Sequence, residues 1–291
     1  MQKYGERDCI GTREILGEED EVQSSGKVFK KMALGDYKWI SYNQLSNMAQ
    51  SFGRGLRLLG QEPGTSIAIY AETRAEWMMS CLGAFSQVNN SLKYKTEWNW
   101  PFDYLQNIHV CTVYTNLGDD AVVHALNETG VSIVITSHEL LPRFKKMLNR
   151  LPNISTIVYM EDQLQKTAVV GYQENVNIKA FRQIVATGAD HPEVGSTPPT
   201  PSDTAIIMYT SGSTGTPKGV ILTHKNLIAT MKCLMFMLDP KDDYYIAYLP
   251  LAHVLELLSE NTMLLLGIKV GYSSPNTMTD MSTKVRKGNK G

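Results

Sequence analysis

Short apolar runs alternate with segments of helical periodicity along most of the chain, and this alternation restricts the fold more than any other feature. The apolar runs, each too short for a helix, lie at residues 66–70, 110–114, 131–136, 156–159, 205–208, 244–248 and 268–272. Helices are predicted at residues 42–59, 75–85, 119–127, 138–148, 226–238 and 253–266. Strands that alternate with helices favour a parallel sheet with helices on its faces. The predicted fold class is therefore α/β, built from parallel-sheet βαβ units.

Local signals mark the ends of the first helix and a break in the pattern. Ser41 is the predicted N-cap of the helix over residues 42–59, and Gly60 is its predicted C-terminal stop. The periodic spacing of apolar residues is then lost over residues 161–200, except around residues 180–186. Residues 188–203 are rich in Pro, Ser and Thr, and proline fixes φ and removes a backbone donor. These residues are predicted to form an exposed linker that leads into the next strand.

Composition excludes several classes of protein. The 291 residues are 43% hydrophobic and 20% charged, which is typical of a globular chain and not of a disordered one. The formal net charge of −1 gives no basic field for sequence-independent binding to nucleic acid. The four cysteines lie far apart, so neither a zinc site nor a disulfide framework is predicted. The first ten residues are polar, and no apolar run reaches the length of a membrane span, so neither a signal peptide nor a transmembrane segment is expected.

The segment YTSGSTGTPKGV, residues 209–220, carries the strongest indication of chemistry. It follows a predicted strand and precedes a predicted helix. Its glycines permit positive φ and a close approach of the backbone, while successive N–H groups, hydroxyls and one ammonium can hold a polyphosphate. The candidate phosphate-binding residues are Thr210, Ser211, Gly212, Ser213, Thr214, Gly215, Thr216 and Lys218.

This loop differs from the two commonest glycine-rich nucleotide motifs. A Walker A loop has Ser or Thr after its lysine, whereas Lys218 is followed by Gly219. Gly212 and Gly215 do not have the spacing of the Rossmann motif G-x-G-x-x-G either. The alternative is a flexible Gly/Ser loop that binds no ligand. The strand before the loop, the expected helix after it and the Pro-Lys-Gly ending favour phosphate binding.

A second cluster lies in YLPLAHVLE, residues 248–256. His253 and Glu256 could share one face of a helix, but two ligands alone make a poor metal site. A lone histidine beside apolar residues is more often structural, and that alternative stays open for His253 on the residues alone. His224, which follows the loop, is expected at the surface or at a helix N-terminus, and Trp77 is expected to pack a helix.

The loop and its flanks resemble a known family. YTSGSTGTPKGV is similar to the phosphate-binding signature of the adenylate-forming enzymes, and the flanking segments narrow the resemblance to long-chain fatty-acid–CoA ligases. These segments are DCIGTRE, YKWISYNQL, ETRAEW, YIAYLPLAHVLELLSE and GIKVGYSSPNTMTD. They resemble the animal type 3/type 4 branch of long-chain acyl-CoA synthetases over most of the chain. The implied fold is the parallel-sheet βαβ architecture of the large N-terminal domain of adenylate-forming enzymes.

The resemblance implies a two-step reaction and its participants. ATP and a long-chain fatty acid would give an acyl-adenylate and pyrophosphate, and CoA would then displace AMP. ATP, Mg²⁺ and CoA are therefore the implied cofactors and substrates. By resemblance, Thr214 and Lys218 contact the phosphates, Thr214 lies near the magnesium, and His253 positions the acyl carboxylate or gates the route of CoA. Thr214, Lys218 and His253 are thus the candidate catalytic residues, and Thr214 is the candidate metal ligand.

Residues 88–109 depart from the family pattern. The helix before them and the strand after them are expected to be joined by only about 2–6 residues. The extra residues include an aromatic cluster made of Trp98, Trp100, Phe102 and Tyr104. The favoured interpretation is an insertion that forms a surface excursion, produced by altered splicing or a faulty gene model. The alternative is a loop that binds a partner or touches a membrane.

The family pattern also continues well beyond residue 291. The resemblance therefore implies a partial AMP-binding domain over residues 1–291, with the small C-terminal domain absent. We expect negligible synthetase turnover from this chain alone, together with exposed apolar surface and a tendency to aggregate. The alternatives are a non-catalytic truncated isoform that acts as a binding or interfering module, and an unrelated nucleotide-binding protein.

Membrane surfaces are the implied location, since the family handles lipid substrates. The resemblance suggests the cytosolic face of the endoplasmic reticulum, the mitochondrial outer membrane, the peroxisome or the lipid droplet. The basic residues Lys284, Arg286, Lys287 and Lys290 could each contribute about 1 kcal/mol of attraction to anionic lipid. A solvated charged segment is the simpler interpretation of this cluster.

Overall fold

The computed structural model describes residues 4–22, 28–85, 107–210, 216–238, 243–274, 278 and 283–285. The strands are β1 (Asp8–Val22), β2 (Val28–Ser41), β3 (Ser66–Tyr70), β4 (His109–Thr112), β5 (Ile133–Ser137), β6 (Thr156–Met160), β7 (Asn177–Ala180), β8 (Thr204–Thr210), β9 (Lys218–Thr223), β10 (Tyr244–Ala247), β11 (Lys269–Tyr272) and β12 (Thr283–Val285). The α-helices are α1 (Tyr42–Leu58), α2 (Ala75–Phe85), α3 (Asp119–Glu128), α4 (Phe144–Met147), α5 (Phe181–Ala189), α6 (His224–Met237) and α7 (Val254–Leu266).

The larger sheet has seven strands in the order β7-β6-β5-β3-β4-β8-β9. Its first six strands run parallel, and β9 pairs antiparallel with β8 at one edge. The predicted α/β class is therefore confirmed, because the parallel strands follow one another through helical or irregular crossovers.

Strand β3 shows how the sequence covers both faces of this sheet. Ile67 and Ile69 are buried in the core that includes side chains of α1, α2 and α5. Ala68 and Tyr70 are buried in a second core with side chains of α3 and α4. Successive strand residues point to opposite faces, so a continuous apolar run such as SIAIY is what a strand covered on both faces requires.

The smaller sheet contains a feature that the sequence pattern did not predict. Its order is β10-β11-β1-β2-β12, and β1 and β2 form a long antiparallel hairpin. Strands β10 and β11 run parallel, and α7 connects them. The inner face of this sheet buries Ile10 and Val270 in the same core as α1 and α2. The far part of β1 is charged and half-exposed, so it lacks the apolar run by which the other strands were predicted.

The predicted ends of α1 are confirmed. The Ser41 side chain accepts a hydrogen bond from the Gln44 backbone N–H, and the Gln44 side chain accepts one from the Ser41 N–H. This reciprocal capping satisfies two N–H groups at the start of the helix. At the other end Leu59 is the C-cap, and Gly60 follows with a positive φ of 87°. Glycine adopts that conformation without the steric cost borne by other residues.

Two regions differ from their predicted structure. Residues 138–148 do not form one helix, since α4 has only four residues between the 3-10 turns Leu141–Arg143 and Leu148–Arg150. Pro142 sits at the start of the first turn, where its missing N–H is tolerated. Within the region of faded periodicity the structure also forms the strand β7, which was not predicted, and α5 around the predicted residues 180–186. Residues 191–203 contain no helix or strand.

Apolar side chains are exposed on three elements that lie late in the chain. On α6, Phe236 is 90% exposed and Met237 is 81% exposed. Ile221 on β9 and Ile246 on β10 are more than half exposed. The structure thus agrees with the expectation of exposed apolar surface.

Candidate functional site

The glycine-rich segment joins two paired strands. Thr210, the last residue of β8, is the cross-strand partner of Lys218, the first residue of β9. The predicted passage from this loop directly into a helix is therefore wrong, because β9 comes first and α6 follows it. The sequence analysis assigned no strand to residues 218–223, which form β9. An antiparallel pair fixes both ends of the loop and places Lys218 beside Thr210 at its base.

Only part of the predicted phosphate-binding set can be located. Thr210, Thr216 and Lys218 are described, and all three are exposed. The remaining members, including the candidate magnesium ligand, lie outside the described residues: Ser211, Gly212, Ser213, Thr214 and Gly215.

A buried tyrosine supports the base of this loop. Tyr209 is 1% exposed, its hydroxyl donates to Oε2 of Glu128 on α3, and its ring meets the His124 ring edge-on at 6.4 Å. Burial and the neighbouring carboxylate raise the pKa of Tyr209, so the phenol stays protonated and remains a donor. Across the strand pair, a Cβ at Gly219 would lie 2.9 Å from Cγ2 of Ile207 and 3.2 Å from the Tyr209 ring. A glycine is therefore needed opposite Tyr209.

This support leads to a prediction for the loop base. Tyr209→Phe should lower the free energy of unfolding by about 1 kcal/mol, because the hydrogen bond to Glu128 is lost. Glu128→Gln should cost less, since its amide oxygen still accepts from the phenol. Glu128→Ala removes the acceptor that glutamine keeps, so urea unfolding of Tyr209→Phe, Glu128→Ala and the double variant measures the coupling. Strictly additive losses in that cycle would show that the hydrogen bond contributes nothing.

His253 caps the helix α7. Its backbone lies at the N-cap, and its Nδ1 accepts a hydrogen bond from the Leu255 N–H at 3.2 Å. The imidazole is exposed, and its ring centre lies 6.5 Å from that of Tyr114. With Nδ1 engaged by the helix, Nε2 is the nitrogen that can meet a ligand.

Two threonines fix the segment before His253 to the larger sheet. The Thr73 hydroxyl donates to the Leu249 carbonyl at 2.6 Å and accepts from the Leu251 N–H at 2.8 Å. The Thr112 hydroxyl, at the end of β4, donates to the Ala252 carbonyl at 3.4 Å. The sequence analysis did not identify either threonine. The signal that could have found them is a polar residue at the carboxyl end of a predicted parallel strand.

These contacts place His253 and the two ends of the glycine-rich segment at one edge of the sheet. Thr112 of β4 is the cross-strand partner of Met208 of β8. Tyr114 and Thr210 each come two residues later, so Tyr114 lies just beyond the carboxyl end of β4 and Thr210 lies at the carboxyl end of the neighbouring parallel strand β8. Ligands of open α/β sheets bind at this edge. Thr210 and Lys218, at the two ends of the glycine-rich segment, therefore lie at the same edge as the imidazole that contacts Tyr114.

His224 lies away from that edge and has a structural role. As expected it occupies a helix N-terminus, as the first residue of α6, but it is buried and not at the surface. Its ring meets Phe85 edge-on at 5.5 Å, and burial lowers its pKa to about 4. His224 is therefore neutral at physiological pH. Trp77 is fully buried within α2, as expected.

The described parts of the chain contain neither a cluster of metal ligands nor a membrane-spanning helix. No group of three or more His, Cys, Asp or Glu side chains there could hold a metal ion. A Mg²⁺ held by threonine and phosphate oxygens would not need such a group, because Mg²⁺ prefers few protein ligands and keeps several waters. No helix among these residues has both the length and the apolarity to cross a bilayer.

Comparison with known proteins identifies the family. The AMP-binding enzyme family matches residues 21–88 and 105–287, which is most of the chain. The chain belongs to the AMP-binding enzyme family. Within this family it is 36% identical over 294 aligned residues to long chain acyl-CoA synthetase 8 of Arabidopsis thaliana. It is 32% identical over 279 residues to long-chain-fatty-acid–CoA ligase 1 of Schizosaccharomyces pombe.

Solved structures support the fold of this AMP-binding family member. The adenylation domain of a carboxylate reductase from Mycobacterium chelonae matches 94% of the chain with a TM-score of 0.72 and 19% identity, over 40% of its own length. The A-PCP didomain of a carboxylic acid reductase from Segniliparus rugosus, solved in complex with AMP, matches 94% of the chain with a TM-score of 0.70 and 18% identity, over 38% of its own length.

The chain is much shorter than these relatives. It is covered completely by the Arabidopsis synthetase and to 95% by the fission yeast ligase, yet it spans only 38% of each. The AMP-binding enzyme family is thus established for a chain that spans about two fifths of its relatives' length.

Proposed function

We propose that the chain contributes the phosphate-binding part of a site that activates long-chain fatty acids. ATP and the fatty acid give an acyl-adenylate and pyrophosphate, and the CoA thiol then displaces AMP to form acyl-CoA. The observation that carries this proposal is the placement of Thr210, Lys218 and His253 at one edge of a parallel sheet. The likeness to long-chain acyl-CoA synthetases, at 36% identity in the Arabidopsis case, supports the substrate class.

The chemistry explains why such a loop is needed. A fatty-acid carboxylate must attack a phosphorus atom surrounded by negative oxygens, and pyrophosphate leaves with further charge. Donors aimed at the developing charge lower that barrier. Lys218, at the base of the loop, would contact the β and γ phosphates, and the hydroxyls and N–H groups of the loop would surround them: Thr210, Ser211, Gly212, Ser213, Thr214, Gly215 and Thr216.

Two further roles belong to this proposal. The hydroxyl of Thr214 is a hard oxygen ligand that suits Mg²⁺, and the bound ion would supply charge neutralisation on the phosphates. His253 would position the acyl carboxylate or gate the route of CoA through its free Nε2. The hydrogen bond from Leu255 to Nδ1 fixes the orientation of the ring for either role.

We place the chain more narrowly in the type 3/type 4 branch of long-chain acyl-CoA synthetases. The segments DCIGTRE, ETRAEW and YIAYLPLAHVLELLSE support it. By the same resemblance the parent enzyme would work at a membrane surface, on the endoplasmic reticulum, mitochondrial outer membrane, peroxisome or lipid droplet. One of the relatives, long chain acyl-CoA synthetase 6 of Arabidopsis thaliana, is described as peroxisomal.

Residues 88–109 are proposed to be an insertion. The family match stops at residue 88 and resumes at residue 105, which supports this assignment. Residues 86–106 lie outside the described residues, so the predicted surface excursion remains a proposal. Limited proteolysis of the native chain should cut this segment first, and complete protection would contradict a surface excursion.

The chain spans 38% of the Arabidopsis synthetase and 38% of the fission yeast ligase, so a second candidate function is proposed. It could act as a non-catalytic binding or interfering module. Mg·ATP binding by the 291-residue chain is expected for both functions, whereas acyl-CoA formation from ATP, oleate and CoA is expected for the first function alone.

The test is calorimetric titration of the purified chain with Mg·ATP and with Mg·pyrophosphate. We expect saturable binding of both and mutual competition, because the same loop holds the phosphates. AMP should compete weakly, since it lacks the β and γ phosphates. Absence of any pyrophosphate-competed ATP binding would contradict the proposal, and acyl-CoA formation by the chain alone would contradict the non-catalytic alternative.

A further inference from the structure

Two carboxyl groups of α7 are buried side by side. Glu256 is 1% exposed and Glu260, one helical turn later, is fully buried. The Tyr245 hydroxyl donates to Oε2 of Glu256 at 2.8 Å, and the Tyr272 hydroxyl donates to Oε2 of Glu260 at 2.7 Å. The Oε1 atoms of both glutamates are buried and have no hydrogen-bond partner among the described residues. Each carboxyl group thus has one satisfied oxygen and one orphaned oxygen.

The surroundings do not allow both carboxyls to ionise. The titratable groups that face the pair or its two phenols are Tyr245 from β10, Tyr272 from β11, Cys9 from β1, and Cys81 and Glu76 from α2. Each of these groups is an acid, so none supplies a positive charge. A buried charge without a counter-ion is costly, and two adjacent negative charges are more so. A proton placed between the two orphaned oxygens satisfies both atoms and removes one charge.

We propose that Glu256 and Glu260 share one proton through their Oε1 atoms, and that this pair fixes α7 against β10 and β11. His253 caps the same helix, so Glu256 and Glu260 act as positioning residues for its imidazole. Burial raises the pKa of both carboxyls, and most strongly that of Glu260, which agrees with a proton retained near neutral pH. The positioning role rests on the proposed function, whereas the shared proton does not.

The shared proton makes stability depend on pH with a defined sign. An unfolded glutamate titrates near pH 4.3. Above that pH the folded pair keeps a proton that the unfolded chain has lost, so stability falls as pH rises until the folded pair titrates. One retained proton corresponds to at most a tenfold rise in the unfolding equilibrium constant per pH unit.

The first experiment measures urea unfolding of the 291-residue chain from pH 5 to pH 9. Glu260→Gln should lose most of the pair's pH dependence, because its amide can donate to Glu256 and accept from Tyr272 without a retained proton. Glu174→Gln, at an exposed carboxyl, is the matched control and should keep the wild-type slope. Equal slopes in the wild type and Glu260→Gln would overturn the proposal.

The second experiment uses only the wild-type chain, so it does not depend on whether a variant folds. Infrared spectroscopy in heavy water at pH 7 should show the carbonyl band of a protonated carboxyl in the wild-type chain. A wild-type spectrum without that band would overturn the shared proton.

A local readout tests the positioning role. Hydrogen exchange of the Leu255 amide reports the hydrogen bond to His253 Nδ1. At pH values where the imidazole is neutral and Nδ1 can accept, its protection after correction for intrinsic exchange should fall with rising pH in the wild type and stay level in Glu260→Gln. Glu260→Ala should lose the protection of the Leu255 amide at all pH values, whereas Glu260→Gln should keep it. A merely structural defect at this position would not be rescued by glutamine. Level wild-type protection would overturn the positioning role, and all three readouts are independent of ATP binding.

Discussion

Replacement of Lys218 by alanine should weaken binding of Mg·ATP and Mg·pyrophosphate by about 10- to 100-fold. The ammonium lies at the base of the hairpin loop, where β9 begins opposite Thr210. Loss of a hydrogen bond to a charged group costs about 1.5–3 kcal/mol, which corresponds to that range of dissociation constants. Calorimetric titration of the purified variant measures the change directly. The binding enthalpy and the salt dependence should decrease with it, because one cationic contact is removed.

Lys232→Ala is the matched control for this prediction. Lys232 is an exposed lysine on α6, so its removal changes the net charge equally but leaves the loop intact. Its dissociation constants should stay close to those of the wild type. Equal weakening by the two substitutions would show that only net charge matters, and no weakening by Lys218→Ala would remove this lysine from the site.

The fold was predictable from sequence wherever a strand is buried on both faces. SIAIY in β3 and TAIIMYT in β8 are nearly continuous apolar runs, because each face of their sheet carries a hydrophobic core. The hairpin of β1 and β2 was missed since its far part is stabilised by pairing and not by burial. Lys31 of β2, for example, is paired with Glu21 of β1 at 2.9 Å. No apolar periodicity accompanies such a contact.

The site was predictable only as far as a local motif reaches. The loop from Thr210 to Lys218 was identified because its chemistry is contained in one continuous segment. The threonines that hold the His253 segment lie elsewhere in the chain: Thr73 follows β3, and Thr112 is the last residue of β4. Their partners are backbone groups about 140 or more residues away, and only the order of the strands brings them together. The pairing of Tyr209 with Glu128 is non-local in the same way.

Replacement of Gly188 by alanine should lower the free energy of unfolding by about 3 kcal/mol or more. This glycine lies where α5 crosses α1, and a Cβ there would be 1.8 Å from the Ser51 carbonyl oxygen and 2.7 Å from the Gly55 nitrogen. Both neighbours are backbone atoms of a helix, so no side chain can rotate away and α5 itself must move. That movement would also separate the stacked rings of Phe52 and Phe181, whose centres lie 4.7 Å apart. Overpacking of a core usually costs about 1–3 kcal/mol, and a displaced helix adds lost burial.

Gly195→Ala is the control for the crossing of these helices. A Cβ at Gly195 would meet no atom within 4 Å, so the same chemical change should alter stability by less than about 0.5 kcal/mol. Urea unfolding followed by tryptophan fluorescence compares the two variants under one set of conditions. If Gly188→Ala were as stable as Gly195→Ala, α5 would have to lie farther from α1 than the contact at Ser51 allows.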